Sequence, residues 1–350
     1  MPDLEYTVFP IRKRVIKVTI SNGQSTATAN PHVQEIKIDH NYLLSLLGLG
    51  IDPYVLPLNT IFFDPQANAQ AYSWYEQFDG TYHMWFVKTP SIGANSTYTL
   101  YMIIDIMQQL VDGNIAGINA IYGQNYLGLS YGQYDNGKNV FLLYDNFAGT
   151  TLSSIWSKFG SGTISVNNGI TITVTSSQSS TGIFTSLSSV PSTGVISRVW
   201  AIVNSVGSSS GNGYLLMFGN NITTSGTGSV NGYQSAWWGG GNTSDIIWKD
   251  VNGSGTQIAS VSDSAILNKL FYGYFMWYYT NQSYLYSYET NTNKTLSTSD
   301  TTFNLSAISQ FAHIVANPGS GTASYTTYTL AVFDAPPGGV MPAIALSLID

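Results

Sequence analysis

The chain has 350 residues, no cysteine, a net charge of -7 and only 9% charged residues, against roughly 25% in an average soluble protein. The length allows about two domains, each able to bury a core. The missing cysteines exclude a disulfide framework and thiolate metal sites, and the shortage of Lys and Arg argues against binding a phosphate backbone. The one basic cluster, Arg12-Lys13-Arg14 with Lys17, is short, sits at a strand start and reads as a solvated edge. Tyrosine (24) and glycine (34), with Ser, Thr and Asn, take the place of charge, so the surface is hydrated by hydroxyls and amides. Such hydration hardly depends on pH or salt, whereas carboxylates lose charge near pH 4 and surface pairs are screened. Hot cytosolic proteins favour Lys/Glu networks instead, and the composition points outside the cell and into acid.

In chain order, Met1 to Ile20 alternates rather than forming the apolar run of a secretory signal. The start at Met favours a protein made inside a host that leaves in a particle. Residues 5–20 and 32–40 read as strands, and Tyr42 to Leu47 as a short helix. Tyr42 to Phe63 is broken by Gly48, Gly50, Asp52, Pro53 and Pro57, short of the ~20 apolar residues a membrane span needs. Strands are expected at Thr60–Phe63, Ala71–Gln77, His83–Lys88 and Thr97–Ile106, and a weak helix at Met107–Ile121. Tyr131 to Trp156 reads as the joint between two β-modules, with a short strand at Val140–Leu143.

Phe62-Phe63-Asp64, Trp74-Tyr75-Glu76, Met84 to Ile92 (MWFVKTPSI) and Tyr98-Thr99-Leu100-Tyr101, with Ile16, Val18 and Ile20 as opening strand, resemble a β-sandwich domain of unknown function common in archaeal surface proteins. That resemblance covers about residues 10 to 107 and brings no catalytic residues. Tyr131 to Gly137, Val140-Phe141, Tyr144 to Leu152 and Trp156 resemble the entry into a concanavalin-A-like sandwich of the laminin-G or glucanase type, covering about 142 to 336. Within it, Thr163–Val166 and Ile170–Val174 flank an Asn168-Gly169 hairpin signal. Later strands are expected at Val195–Val203, Tyr214–Gly219, Tyr233–Trp238, Asp245–Lys249, Tyr272–Tyr279, Tyr284–Glu289, Ala312–Val315 and Tyr325–Asp334. The expected fold class is all-β, two tandem antiparallel jelly-roll-like sandwiches: 1–130, 131–337, and a strand-like tail, 338–350.

Glucanases of the resembled type carry a Glu-x-Asp-x-Glu run, because retaining hydrolysis needs two carboxyls about 5 Å apart. Here the chain after Val140 has one glutamate, Glu289, and no such run. Asp245 and Asp250, five apart on a strand, point to opposite faces. His32, His40, His83 and His313 show no zinc-site spacing and read as structural. The resemblance implies a structural calcium ion shared by an entry-loop and a closing-strand acid, here Asp145 and Asp334. Aromatic faces stack on sugar rings, which makes Trp237, Trp238, Trp248, Trp277 and Tyr286 carbohydrate-binding candidates; packing across strands competes for the same residues.

Seven N-glycosylation sequons occur, at Asn95, Asn221, Asn242, Asn252, Asn281, Asn293 and Asn304. After Pro336-Pro337-Gly338-Gly339, the tail places Ile344, Leu346 and Leu348 on one strand face; it folds back on its own chain or joins a neighbouring subunit as an added strand. The reading is a non-enzymatic surface component of an archaeal virus, a spike, fibre, turret or filament subunit. It would associate with itself or other capsid proteins and contact host surface glycans or envelope protein, without nucleic acid. A host adhesin or pilus-like thread, and a carbohydrate-binding lectin, are the alternatives.

Overall fold

The computed structural model describes residues 13–48, 50–53, 55–105, 110, 116–118, 135–207, 213–238, 244–290 and 292–349. The chain divides into two compact units. One runs up to Val140 and is completed by the segment from Met341; the other is Phe141–Val340. The division therefore falls ten residues beyond the expected boundary, and the tail belongs to the first unit.

The first unit holds β1 (Lys13–Asn22), β2 (His32–Asp39), α1 (His40–Leu47), β3 (Thr60–Asp64), β4 (Ala69–Gln70), β5 (Ser73–Phe78), β6 (Tyr82–Thr89), β7 (Ser96–Asp105), β8 (Ala116–Ile118) and α2 (Gly137–Val140). α1 begins where the Asp39 side chain accepts the Tyr42 N–H and ends at Gly48, whose left-handed φ of 64° closes the last turn. Two sheets, one containing β1, β7, β3 and β4, the other in the order β2-β6-β5-β8, enclose one core. Ile16, Val18, Ile20, Leu100 and Met102 enter it from one side, and Ile36, Ile38, Trp85 and Val87 from the other. β8 pairs with β5 in parallel, a departure from the antiparallel expectation. It lies inside the stretch expected as a helix, the rest of which, Leu110 apart, falls outside the described residues.

The second unit holds β9 (Leu143–Asp145), β10 (Ser157–Phe159), β11 (Thr163–Val166), β12 (Ile170–Thr175), β13 (Thr181–Ser186), β14 (Gly194–Ser205), β15 (Tyr214–Asn220), β16 (Asn231–Trp238), β17 (Ser244–Val251), β18 (Ser254–Ser262), β19 (Leu270–Tyr279), β20 (Ser283–Glu289), β21 (Lys294–Asp300), β22 (Gln310–Val315) and β23 (Thr322–Asp334). Among the described residues a seven-stranded sheet, β10-β13-β22-β15-β16-β17-β18, faces an eight-stranded one, β11-β12-β23-β14-β19-β20-β21 with β9 paired antiparallel to β23 off that path. Every pairing within them is antiparallel, so the unit is a jelly-roll-like sandwich. The strand expected at Val140–Leu143 is replaced by α2 and then β9, because the Asp135 carboxylate accepts the Gly137 N–H and curls the chain.

β24 (Ala343–Ile349) pairs antiparallel with β1, Leu346 opposite Val18, and forms the edge of the first unit's larger sheet. Ile344, Leu346 and Leu348 pack against that unit's core. Of the two expected fates of the tail, this chain adopts the return to itself. No helix among the described residues is long and apolar enough to cross a membrane.

Candidate functional site

The outer face of the eight-stranded sheet carries a ladder of tyrosines. Strand periodicity puts Tyr272, Tyr274 and Tyr278 of β19 and Tyr284, Tyr286 and Tyr288 of β20 on the same side, all half-buried. Register places Tyr274 opposite Tyr288 and Tyr278 opposite Tyr284. Tyr278 and Tyr284 stack at 5.0 Å between centroids, and Tyr274 and Tyr286 at 5.5 Å. Such pairs each add about 0.5–1.5 kcal/mol beyond the area they bury. The ladder runs on to Trp200, 4.9 Å from Tyr272, and the Arg198 guanidinium lies 4.7 Å over the Tyr272 ring. Stacking covers one face of each paired ring, and the Tyr284 and Tyr288 hydroxyls donate to Asn281 Oδ1 at 3.3 Å and Asn293 Oδ1 at 2.9 Å. Burial pushes the Tyr278 and Tyr288 phenols up, so both stay neutral in any mild medium.

The second feature is a cluster of three acids at one end of the sandwich: Asp245 at the start of β17, Asp263 just after β18 and Glu289 at the end of β20. One carboxylate oxygen of each lies within 4.8 Å of the others. Asp245 is 2% exposed, Asp263 7% and Glu289 0%. Trp238 ties the cluster to the core: its N–H donates to Asp245 Oδ1 at 3.0 Å and its indole N–H to Asp263 Oδ2 at 2.9 Å. Its φ of 57° is left-handed, which breaks strand alternation and lets Trp237 and Trp238 enter the same core. Glu289 accepts the Thr292 and Lys294 backbone N–H groups. Burial, and then Asp263, push Asp245 up to about 8; burial also raises Glu289.

The spacing is near that of a retaining glycosidase pair, but access is wrong. The adjoining open cavity of ≈ 560 Å³ is lined by Ser262, Asp263, Ser264, Thr292 and Lys294, and neither Asp245 nor Glu289 reaches it. The donor set is all carboxylate oxygen, of the kind a hard cation such as calcium takes.

Several expected site residues lie elsewhere. Trp237, Trp238 and Trp277 are buried in the second core, their indole N–H groups donating to Ser287, Asp263 and Ser283. No ring face among these three is open to a sugar, which corrects the expectation for them. Trp248 is half-buried on the outer side of β17, its indole N–H without a partner, and Tyr286 sits in the ladder. Asp145 and Asp334 do not share an ion. Asp145 pairs with Leu330, four residues from Asp334 along β23, which separates the two acids by roughly 13 Å. Asp145 instead accepts the Phe147 N–H and the Trp156 indole N–H.

Asn221, Asn252, Asn281, Asn293 and Asn304 are exposed, as is Asn95, and Asn242 lies outside the described residues. His40 Nδ1 and His83 Nε2, 43 residues apart, meet at 3.0 Å, and the Tyr75 hydroxyl lies 3.0 Å from His83 Nδ1. Sequence spacing held no sign of that pair.

The fold and these features define an all-β, two-unit protein dressed in tyrosine and hydroxyl side chains. No protein-family model matches the chain. It is 33% identical over 148 residues to uncharacterized protein 562 of Sulfolobus islandicus rod-shaped virus 1, a match covering 41% of this chain and 23% of that protein. The matched part is thus about a quarter of the viral relative's length.

Similar solved structures include the metal-free carbohydrate recognition domain of Emp46p, with TM-score 0.39, 8% identity, 51% of this chain and 88% of that one. The Ca²⁺- and mannose-bound exoplasmic/lumenal domain of VIP36 gives TM-score 0.38, 10% identity, 55% and 90% coverage. Carbohydrate-binding module CBM66 of Bacillus subtilis gives 0.37, 15%, 51% and 95%. At these scores the likeness assigns no role to any residue here.

Proposed function

We propose that this chain is a non-enzymatic structural and adhesive component of a virus surface, which meets the host envelope through the tyrosine ladder on the outer face of the eight-stranded sheet. The observation that carries the reading is the 33% identity over 148 residues to a protein of a rod-shaped virus. The near-chargeless composition supports it, since a surface hydrated by hydroxyls keeps its character in acid and salt. The ladder supports the contact surface. Half-buried phenols offer apolar rings and hydroxyls together, which suits glycans whose own surface mixes C–H faces and hydroxyls. The buried acids are read as structural, because two of the three have no path to a substrate. Asp245, Asp263 and Glu289, not Asp145 with Asp334, are where a structural calcium ion would be held.

Immunogold labelling and peptide mass spectrometry of purified particles test the role. Peptides of this chain in washed particles, with gold on their surface, are expected. A chain found only in infected-cell cytosol would defeat it.

A further inference from the structure

The sequons gain a second layer of information from the fold. Antiparallel topology sends the β15–β16 and β17–β18 connections to the same end of the seven-stranded sheet, with Asn221 in the first and Asn252 in the second. Asn231 Nδ2 donates to Asn252 Oδ1 at 3.5 Å across those two loops. The eight-stranded sheet meets this end through the Lys249–Asp300 ion pair at 3.0 Å and the Tyr233 hydroxyl donating to Asp300 at 2.5 Å. Asn281, in the β19–β20 turn, and Asn304, after β21, therefore lie at the same end. Gln310, exchanging hydrogen bonds with both backbone groups of Ile222, fastens the segment after Asn304 to the Asn221 loop.

Turn chemistry explains part of this pattern. Asn221 and Asn252 have φ of 59° and 50°, left-handed values that Asn tolerates. Asn68, Asn168 and Asn268 do the same at φ of 49°, 48° and 57° with no hydroxyl residue two positions on. The hydroxyl of the sequon is thus an addition that the turn does not need. Asn304 has an extended backbone with φ of -113°.

The four sequons differ in whether that hydroxyl can be reached. Thr223, Ser254 and Ser306 are exposed along with their asparagines. Ser283, the hydroxyl partner of Asn281, is 0% exposed. Its Oγ donates to the Phe303 carbonyl at 2.5 Å and accepts the Trp277 indole N–H at 2.8 Å. Recognition of N-x-S/T requires both the amide and the hydroxyl, so the folded chain offers three of these four triplets and withholds the fourth.

We propose that Asn221, Asn252 and Asn304 carry N-linked glycans, added to the folded chain, and that Asn281 does not. The co-reactant is a lipid-phosphate-linked oligosaccharide. The Asn Nδ2 attacks the anomeric carbon, the N–C bond forms as the C–O bond to phosphate breaks, the lipid phosphate departs with the electron pair, and Nδ2 yields one proton to a base of the transferase. The assignment stands without the role proposed above. It puts sugar on this end of the second unit; Asn293 with its exposed Thr295, in the β20–β21 turn, meets the same test at the opposite end.

Peptide mapping of the chain isolated from its native source, with electron-transfer fragmentation, tests this against the same chain made in bacteria without a glycosylation system. Glycopeptides at Asn221, Asn252 and Asn304, with the Asn281 peptide bare, are the expected result. Bare peptides at all three positions would overturn the assignment, and a glycan at Asn281 would overturn selection by the fold. Thr223→Val keeps Asn221 and the Thr223–Gly226 backbone bonds of the turn and removes the exposed hydroxyl together with the bond it accepts from the Ser225 N–H. It is expected to abolish the sugar at Asn221 alone, and retention there would contradict the mechanism.

Discussion

Asp245→Asn isolates the cost of the buried acids. In the folded chain Asp245 is pushed up from 3.8 to about 8, by burial first and then by Asp263. A carboxyl whose folded pKa exceeds its unfolded one stabilises fully below the unfolded value, and that stability is lost as pH rises through the folded value. Glu289, also raised by burial, acts in the same direction. Below pH 6.5 the effect is opposed by His313, which burial lowers from 6.5 to about 4 and which therefore loses stability as pH falls across that range. Between pH 6.5 and 8 Asp245 acts without that opposition. At 1.36 kcal/mol per pH unit for one proton, about 1.5 units give ~2 kcal/mol. For a unit of this size that is roughly 4–8 °C in Tm.

Asn keeps the oxygen that accepts the Trp238 N–H and cannot ionise. Scanning calorimetry in the presence of a chelator, so that no cation sits on the acids, from pH 6.5 to 8 should show the second unit's transition falling in the wild type and falling less in Asp245→Asn. A wild-type transition that does not move, or a variant that falls with the same slope, would refute the reasoning.

Three further outcomes follow from the packing. Leu346→Ala, which thins β24 where it lies on β1, should cost the first unit roughly 1–2 kcal/mol, below the 2–5 of a fully buried leucine, and lower its denaturant midpoint; an unchanged midpoint would mean the tail is not seated there. Trp277→Ala should cost the second unit about 3–5 kcal/mol, as a core ring does, and a mild loss would reopen a surface role for it. His83 is lowered to about 3, by burial and then by His40, so the first unit should lose stability as pH falls from 6.5 towards 3. His83→Phe should remove that acid limb in a calorimetric titration, and a limb that persists would assign it elsewhere.

How much could be read beforehand depended on what each residue buries. β7, STYTLYMIID, and β23, TASYTTYTLAVFD, alternate apolar side chains into a core, and their periodicity was legible. β18, SGTQIASVS, and β21, KTLSTSD, went unread because they are edge strands held by backbone pairing, with little side-chain burial to leave a pattern. The two strands that carry the tyrosine ladder, Tyr272–Tyr279 and Tyr284–Glu289, were legible and Tyr286 stood out, but the pairing of their tyrosines across one face follows from register. The acidic cluster was not legible: Asp245, Asp263 and Glu289 stand on different strands and meet only through sheet order. Their one trace is the Trp237-Trp238 pair, where consecutive core rings require a left-handed residue such as Trp238. The tail's apolar face was legible, but its partner β1 lies more than 300 residues away and register is a tertiary fact.

The most direct test of the contact surface is a binding assay on isolated host envelopes with the intact chain and with Tyr274→Ser/Tyr286→Ser, which removes a stacked, half-buried pair without opening the core. The account predicts saturable binding by the intact chain, inhibited by glycans released from the envelope, and at least a tenfold loss in the double variant with its thermal transitions retained. Equal binding by a folded double variant, or binding indifferent to those glycans, would contradict it.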